Sequence, residues 1–519
     1  MAERKGTTMN SENNREMEIK LTTLSPELLA KILQIPLVKE RIIVGSEKYK
    51  YLESHYYDTP KRRFAKAGVV FRVRKEPEGF VATVKVEKSN SGGLSERMEY
   101  NVSLPDEKPA FSGFDKINFI INLQAIVAKE GGVQELFSVN VQRKQCELML
   151  SDETVVEMAI DTGEIIAGEK CLSVHELELE IKKGKSSDLI DFVALLANEV
   201  PLFAEQKSKY YRGCELSGEQ IEQIKAKSVE EISTAKPFKS SVQSALVRQT
   251  GYALCVTADC IHDKGYMPDL YTALTHLKKM LAFFGNIFEE KQCQEQIKKV
   301  ENLIDLIEKQ RYVGEFASLW QLLNARTETI TTNMLLEKLL NEKDRYYTNL
   351  FTQEINSGKY SVFLFSLWSW LMKGNWQENT EMTGKDYLYE QIVRINSEVQ
   401  QLYEKEDILG FYDRLLLLIR NINLMKKFSG RDARILEKAA QKLAKQVKNK
   451  MLAEKTAETL FSLFRASAGR LLYRDAGILL GYYFKAYDVK EKKLDERMGT
   501  YLAAEKHFRY DKETEQEED

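Results

Sequence analysis

The sequence predicts a multidomain α and β protein, with an N-terminal antiparallel β domain followed by an all-α helical-bundle domain. Three observations carry this. Before residue 215, seven or eight short stretches alternate apolar and polar residues with period two, as strands with one apolar face do. Beyond about residue 236 the apolar residues recur at helical spacing, and Pro237 and Pro268 are the last prolines. At 519 residues, 43% of them hydrophobic and 10% aromatic, the chain is too long for one ordinary core and apolar enough to build two or three.

The β stretches run in order. "REMEIKL" (Arg15–Leu21) sets Glu16, Glu18 and Lys20 on one face and Met17, Ile19 and Leu21 on the other. "YKYLESHYYDT", "GVVFRVRKE", "GFVATVKVE", "ERMEYNVSL", "FSVNVQRKQCELML", "ETVVEMAIDTG" and "SVHELELEIKKG" follow, each bounded by Gly, Pro, Asn or Ser. Two segments read as helices. "SPELLAKIL" (Ser25–Leu33) has a Ser cap and Pro in its first turn; "SSDLIDFVALLANEV" (Ser186–Val200) is the other. So many strands with so few helices predict a closed antiparallel barrel or a sandwich. The polar, charged segment 216–236 reads as a linker. "PDLYTALTHLKKMLAFFGNIFEE", "DILGFYDRLLLLIRNINLMKKF" and "DARILEKAAQKLAKQVKNKMLAEKTAETLFSLFRASAGRLL" carry the helical period, and "YDKETEQEED" reads as a solvated acidic tail over 511–519.

Composition excludes several classes. The net charge is −2, so nothing global points to nucleic acid or a membrane surface. The six cysteines contain no CxxC pair, which argues against a structural zinc site and fits a reducing compartment. The N-terminal residues lack an apolar signal core, and "YSVFLFSLWSWLM" (Tyr360–Met372) is too short to span a bilayer. The expectation is a soluble cytoplasmic protein.

The alternating charges are the informative feature. Acids are Glu16, Glu18, Asp161, Glu176, Glu178 and Glu180; bases are Lys20, Arg72, Arg74, Lys85, Arg97, Arg143 and Lys182. On a single strand such a stripe is a solvated face. Concentrated on seven strands, the two signs read as one site, with carboxylates for a hard divalent cation and forked guanidinium donors for a polyanion. No GxxxxGK[ST] sequence occurs, so this is not a Walker-type phosphate site.

The motifs resemble a known family. "EMEIK" has the form ExExK and is followed in order by "YYDT", "FRVR", "TVK", "RME", "AIDTG" and "ELELEIKKG". This ordered set resembles the CYTH superfamily, the triphosphate tunnel metalloenzymes, over residues 13–215. "SKYYRG" (Ser208–Gly213) resembles the closing segment of its inorganic triphosphatase branch. The resemblance implies a closed antiparallel barrel with its polar face inward. It implies that Glu16, Glu18, Asp161 and acids among Glu176, Glu178 and Glu180 hold Mg²⁺ or Mn²⁺. It makes Lys20, Arg72, Arg74, Lys85, Arg97, Arg143 and Lys182 the phosphate-binding set, and Lys20, Glu16 and Glu18 the catalytic core. Glu157, Lys48 and Lys50 are further candidates.

The expected reaction is metal-assisted attack of water on a terminal phosphoryl group of inorganic triphosphate or another triphosphorylated small molecule. The alternatives are adenylyl cyclase or thiamine triphosphatase of the same fold, or a non-catalytic polyphosphate-binding protein.

The helical half, 237–510, resembles the CHAD domain, which binds polyphosphate. "LTHLKKMLAFF" (Leu274–Phe284) is similar to its signature helix LRRLRxxLxxF. Pro268 and Tyr271 stand where that family carries His and Arg, so the resemblance is to a diverged member. Arg431, Arg434, Lys438, Lys442 and Lys445 share one helix face. His276 and the His262–Asp263 pair lack the partners of a metal site, and Trp368, Trp370 and Trp376 read as core.

Overall fold

The structure is a computed structural model. It describes residues 15–114, 121–221, 226–326, 334–374, 383–464, 474–475, 477–482 and 491–517. Trp376 therefore lies outside the described residues. The alternating segments form strands β1 (Arg15–Thr22), β2 (Lys48–Asp58), β3 (Val69–Glu76), β4 (Gly79–Ser91), β5 (Leu94–Leu104), β6 (Gln134–Met149), β7 (Val155–Ala167) and β8 (Lys170–Lys183). They pair antiparallel in the order β5-β4-β3-β2-β6-β7-β8-β1, and β1 pairs back onto β5 from Arg15↔Met98 to Ile19↔Leu94. That last pairing closes the sheet, so the barrel replaces the sandwich alternative and leaves β1 to β8 without an open edge along the ring. A short β9 (Phe203–Ala204) adds to β1.

Closure assigns the two faces. The apolar spacers Ile19, Leu21, Leu177 and Leu179 point outward and are fully buried. Helices α1 (Pro26–Lys31), α2 (Pro36–Lys39), α3 (Arg63–Lys66), α4 (Leu123–Glu130) and α5 (Ser186–Glu199) lie outside the strands. Ser25 Oγ accepts from the Leu28 N–H, the cap its sequence predicts. Phe64, Phe71, Val73, Val84, Phe114 and Leu123 form one outer core, and α5 buries Leu189, Ile190, Val193 and Leu196. Much of the core thus lies outside the barrel, which frees its lumen for polar groups.

One end of the lumen is apolar. Helix α6 (Lys209–Ser217) places Tyr210 and Cys214 among Leu52, Tyr56, Phe137, Val139, Val141, Ile165 and Val174. Gly213 allows that approach, because a Cβ there would sit 2.2 Å from the Phe137 ring.

The chain divides into two compact units. The first joins the barrel to 250–266 and 355–373. Within it, α7 (Phe238–His262) contributes its C-terminal half. After α8 (Met267–Phe283), α9 (Glu290–Arg326) and α10 (Met334–Asn356), helix α11 (Lys359–Met372) packs on α5. Ser369 Oγ donates to Asp191, and Lys373 Nζ lies 3.0 Å from the same carboxylate. Trp368 and Gly251 close over Gly92 at the β4–β5 turn, where a Cβ would meet the Trp368 ring at 2.4 Å.

The second unit holds 228–249, 267–354 and 374–519. It contains α8, α9, α10, α12 (Gly384–Glu404), α13 (Ile408–Leu424), α14 (Arg431–Phe464) and α15 (Glu491–Glu517). Phe238, Phe283, Phe284 and Tyr387 stack in one core; Tyr312, Phe316, Trp320, Leu336 and Leu460 form another. Helix α15 runs to Glu517, through a stretch rich in the helix formers Glu, Lys and Gln. Among the described residues, no helix is long and apolar enough to cross a membrane.

Candidate active site

The inward-facing side chains line a cavity of about 410 Å³ inside the barrel. Of the sequence-predicted residues, Glu16, Glu18, Lys20, Arg72, Arg74, Lys85, Arg97, Arg143, Glu178, Glu180 and Lys182 line it, with Lys50 and Glu157. Lys48 is exposed and is not among the lining residues. Register explains the convergence. Glu18 pairs with Glu180 and Lys20 with Glu178 across β1–β8; Glu16 pairs with Arg97 across β1–β5; Lys85 pairs with Glu99 across β4–β5. Cross-strand partners face the same side, so one correct closure brings every stripe inside.

The walls differ in charge. On β1 and its neighbours, Lys85 Nζ lies 2.8 Å from Glu16 and 2.6 Å from Glu99, and Arg97 donates to Glu18 at 2.6 Å. Burial pushes the Glu16 carboxyl up to about 7; Lys85 opposes the rise, while Glu18 and Glu99 add to it. Burial also works upward on Glu18, but Lys20 and Arg97 outweigh it and hold that carboxyl well below the usual range.

On β3, across the ring from β8, the balance reverses. Arg72 makes no ion pair among the described residues, and its buried Nε has no partner. Arg74 Nε donates to Ser54 Oγ at 3.0 Å, with Glu76 as far as 3.8 Å. Burial, Arg72 and Arg143 together push Arg74 down to about 10. Two guanidinium groups short of carboxylate partners face an acid-bearing wall.

Asp161 and Glu176 are placed differently. Both are fully buried, against α6 rather than at the cavity surface. With Glu178 they form a trio whose carboxylate oxygens lie within 4.8 Å of one another, a spacing able to hold a metal ion. Arg143 donates to Asp161 at 2.7 and 2.6 Å and to Glu178 at 2.5 Å, and Arg212 donates to Glu176. Lys209 Nζ touches all three acids, at 2.7 Å from Asp161, 3.1 Å from Glu178 and in direct contact with Glu176. Burial pushes the Lys209 ammonium down, against the pull of Asp161. Despite burial, Lys209 and Arg143 hold Asp161 down to about 2.

Lys209 and Arg212 are residues that strand-period reading misses. They sit three apart on a helix, in the "SKYYRG" segment, so they face one side together without any alternation. Glu87, Tyr56, Tyr211 and Asn101 also line the cavity. Glu99, which the sequence allows to pair with Arg97, pairs with Lys85 instead, because Arg97 is taken by Glu18.

An oxygen-only donor set fits a hard divalent cation such as Mg²⁺ or Mn²⁺. The cavity acids meet that chemistry. Among the described residues Glu180 has one ion pair, to Lys182 at 2.8 Å, and Glu16 has one, to Lys85. By contrast Glu178 is shared among Lys20, Arg143 and Lys209.

Part of the chain is similar to known proteins. Over 207 residues the chain is 28% identical to the inorganic triphosphatase of Haemophilus influenzae, covering 40% of this chain and 56% of that protein. The chain thus spans little more than half the length of that curated relative. Among solved structures it is similar to the Hippeastrum protein HpAC1, described as having a dominant triphosphatase activity. There the identity is 16% and the TM-score 0.28, over 40% of this chain and 97% of that one. It is also similar to the Mimivirus capping enzyme triphosphatase, with 10% identity and a TM-score of 0.24, over 36% of this chain and 90% of that one. Residues 14–213 match the CYTH domain family. A CYTH domain therefore occupies residues 14–213 of this chain.

Proposed function

We propose that the barrel hydrolyses inorganic triphosphate to diphosphate and phosphate with the help of Mg²⁺ or Mn²⁺. The observation that carries this reading is the pairing, in one cavity, of the under-compensated Arg72 and Arg74 with the acids of β1 and β8. A metal-complexed phosphate chain needs both. Arg72 and Arg74, with Arg143, Lys85, Arg97 and Lys182, bind and orient the phosphates through forked and ammonium donors. Glu16, Glu18 and Glu180 would hold the cation, with Glu178 more heavily committed to bases. When bound, the metal supplies Lewis-acid polarisation of phosphate oxygens. Lys20 lies at 2.8 Å from Glu18 and in contact with Glu178, where it can stabilise charge that shifts toward the leaving oxygen. The apolar plug formed by α6 keeps that end of the lumen dry. Similarity to the Haemophilus influenzae inorganic triphosphatase supports the choice of substrate.

The test is phosphate release from tripolyphosphate by the whole chain, with Mg²⁺ or Mn²⁺ and with chelator. The Glu16→Ala/Glu18→Ala double variant runs beside it, and ATP serves as the comparison substrate with cyclic AMP assayed. Metal-dependent release lost in the variant supports the reading. A folded protein that binds tripolyphosphate without turnover would sink it in favour of a binding role, and cyclic AMP from ATP would favour a cyclase.

For the helical unit, the reading is binding of polyphosphate. Arg431, Arg434, Lys438, Lys442 and Lys445 are all exposed along α14, and among the described residues none forms an ion pair.

A further inference from the structure

Asp161, Glu176 and Glu178 look like a metal site by spacing alone, yet a base already stands among them. The Lys209 side chain is 10% exposed and its Nζ contacts all three carboxylates. Arg143 adds ion pairs to two of the three acids and Arg212 to the third; Lys20 also reaches Glu178. Three negative charges therefore meet four positive ones, all supplied by the chain. Lys209 Nζ stands at the point where the three carboxylates converge, and Arg143, Arg212 and Lys20 pair with the same acids around it. A divalent ion entering here would have to expel Lys209 from three contacts and place its own charge beside Arg143 and Arg212. The cavity acids least engaged by bases lie elsewhere, at Glu16 with Lys85 and at Glu180 with Lys182.

We infer that Lys209 is a built-in counter-cation that fills the three-acid centre, so that α6 keeps metal out of that position and confines it to the β1 side of the tunnel. Lys209 thereby acts as a positioning residue. It ties α6 to β7 and β8 through Asp161, Glu176 and Glu178, and it sets the number of cations the barrel takes. This goes beyond the triphosphatase reading and does not need it, because cations can be counted with no substrate present.

The experiment is a Mn²⁺ titration of the full-length protein followed by electron paramagnetic resonance, on the wild type and on Lys209→Met. Methionine is an unbranched side chain one atom shorter and removes the charge. Lys209→Met should bind one Mn²⁺ per chain more than the wild type, and the added site should vanish when Glu176→Gln is combined with it. Its melting temperature should be lower without metal and should rise more steeply with Mn²⁺ than that of the wild type. An unchanged Mn²⁺ count in folded Lys209→Met overturns the inference. If Lys209→Met does not fold, Glu176→Gln in the wild-type background decides: an unchanged count supports the inference, and loss of one Mn²⁺ overturns it.

Discussion

Glu18 and Glu180 stand opposite one another across the β1–β8 pair but carry unequal loads of positive charge. Glu18 is held by Lys20 at 2.8 Å and Arg97 at 2.6 Å, whereas among the described residues Glu180 pairs with Lys182 alone, at a more exposed position. The same substitution should therefore act differently at the two sites. Glu18→Gln takes the carboxylate from the buried Arg97 and leaves Lys20 with Glu178, and should cost about 3 kcal/mol of stability, read by urea unfolding. Glu180→Gln should leave the unfolding midpoint nearly unchanged. It should raise the Mg²⁺ concentration for half-maximal phosphate release about tenfold.

The β3 arginines should show in substrate binding. Each charge-assisted bond to a phosphate is worth roughly 1.5–3 kcal/mol, or about 10- to 100-fold. Arg72→Met and Arg74→Met should each raise KM for tripolyphosphate by that order. Arg72→Met should cost less stability than Glu18→Gln, since Arg72 makes no ion pair among the described residues and its Nε is without a partner. Steady-state kinetics and thermal melts on the same samples check both halves.

The plug should be sensitive to a single methyl group. At Gly213 a Cβ would meet the Phe137 ring at 2.2 Å, with neither partner free to withdraw. Gly213→Ala should cost about 1–3 kcal/mol through overpacking. It should also lower phosphate release, because Lys209 and Arg212 ride on the same helix. Differential scanning calorimetry beside the activity assay measures the two effects.

In the helical unit, pH dependence should trace to His276. Burial, then the charges of Arg420 and Lys279, push its imidazole down to about 3. Its Nδ1 meets Ser228 Oγ at 3.0 Å. Between the ordinary imidazole value and about 3, the unfolded chain takes a proton that the folded one refuses. Stability from this group is therefore complete above about pH 6.5 and falls as pH drops through the window, by about 1.5 kcal/mol between pH 6.5 and 5. His276→Gln should flatten that part of the urea-midpoint profile; an unchanged slope would assign it to other groups.

The exposed bases of α14 give a binding prediction. Arg434→Glu/Lys438→Glu/Lys442→Glu should weaken retention of long-chain polyphosphate at least tenfold. Because these are surface positions, the melting temperature should hardly move. Unaltered retention would return this stripe to the role of a solvated helix face.

Much of the barrel was legible because period-two patterning is a local signal. Glu16, Glu18 and Lys20, or Glu176, Glu178 and Glu180, announce a polar face within five residues. Period alone could not say which way that face points; the β1–β5 pairing that turns it inward joins residues about eighty apart. Nor could it rank the three acids of β8, which share a face but differ in the bases that reach them from β1, β6 and α6. Lys209 stayed hidden because its helix carries no strand alternation and its three partners lie 31 to 48 residues earlier. The short helices α2, α3 and α4 and strand β9 escaped because four to eight residues, or two, hold too little period to read.

The order in which residues leave the ribosome gives the Trp368–Gly92 contact a further meaning. The last strand, β9, ends at Ala204, whereas Trp368 and its helix come only after α7 to α10 have been made. Throughout that interval Gly92 lacks its Trp368 contact and Asp191 lacks Ser369 and Lys373. Completion of the N-terminal unit is thus a late event in synthesis, timed by a helix encoded far downstream of the strands it seals.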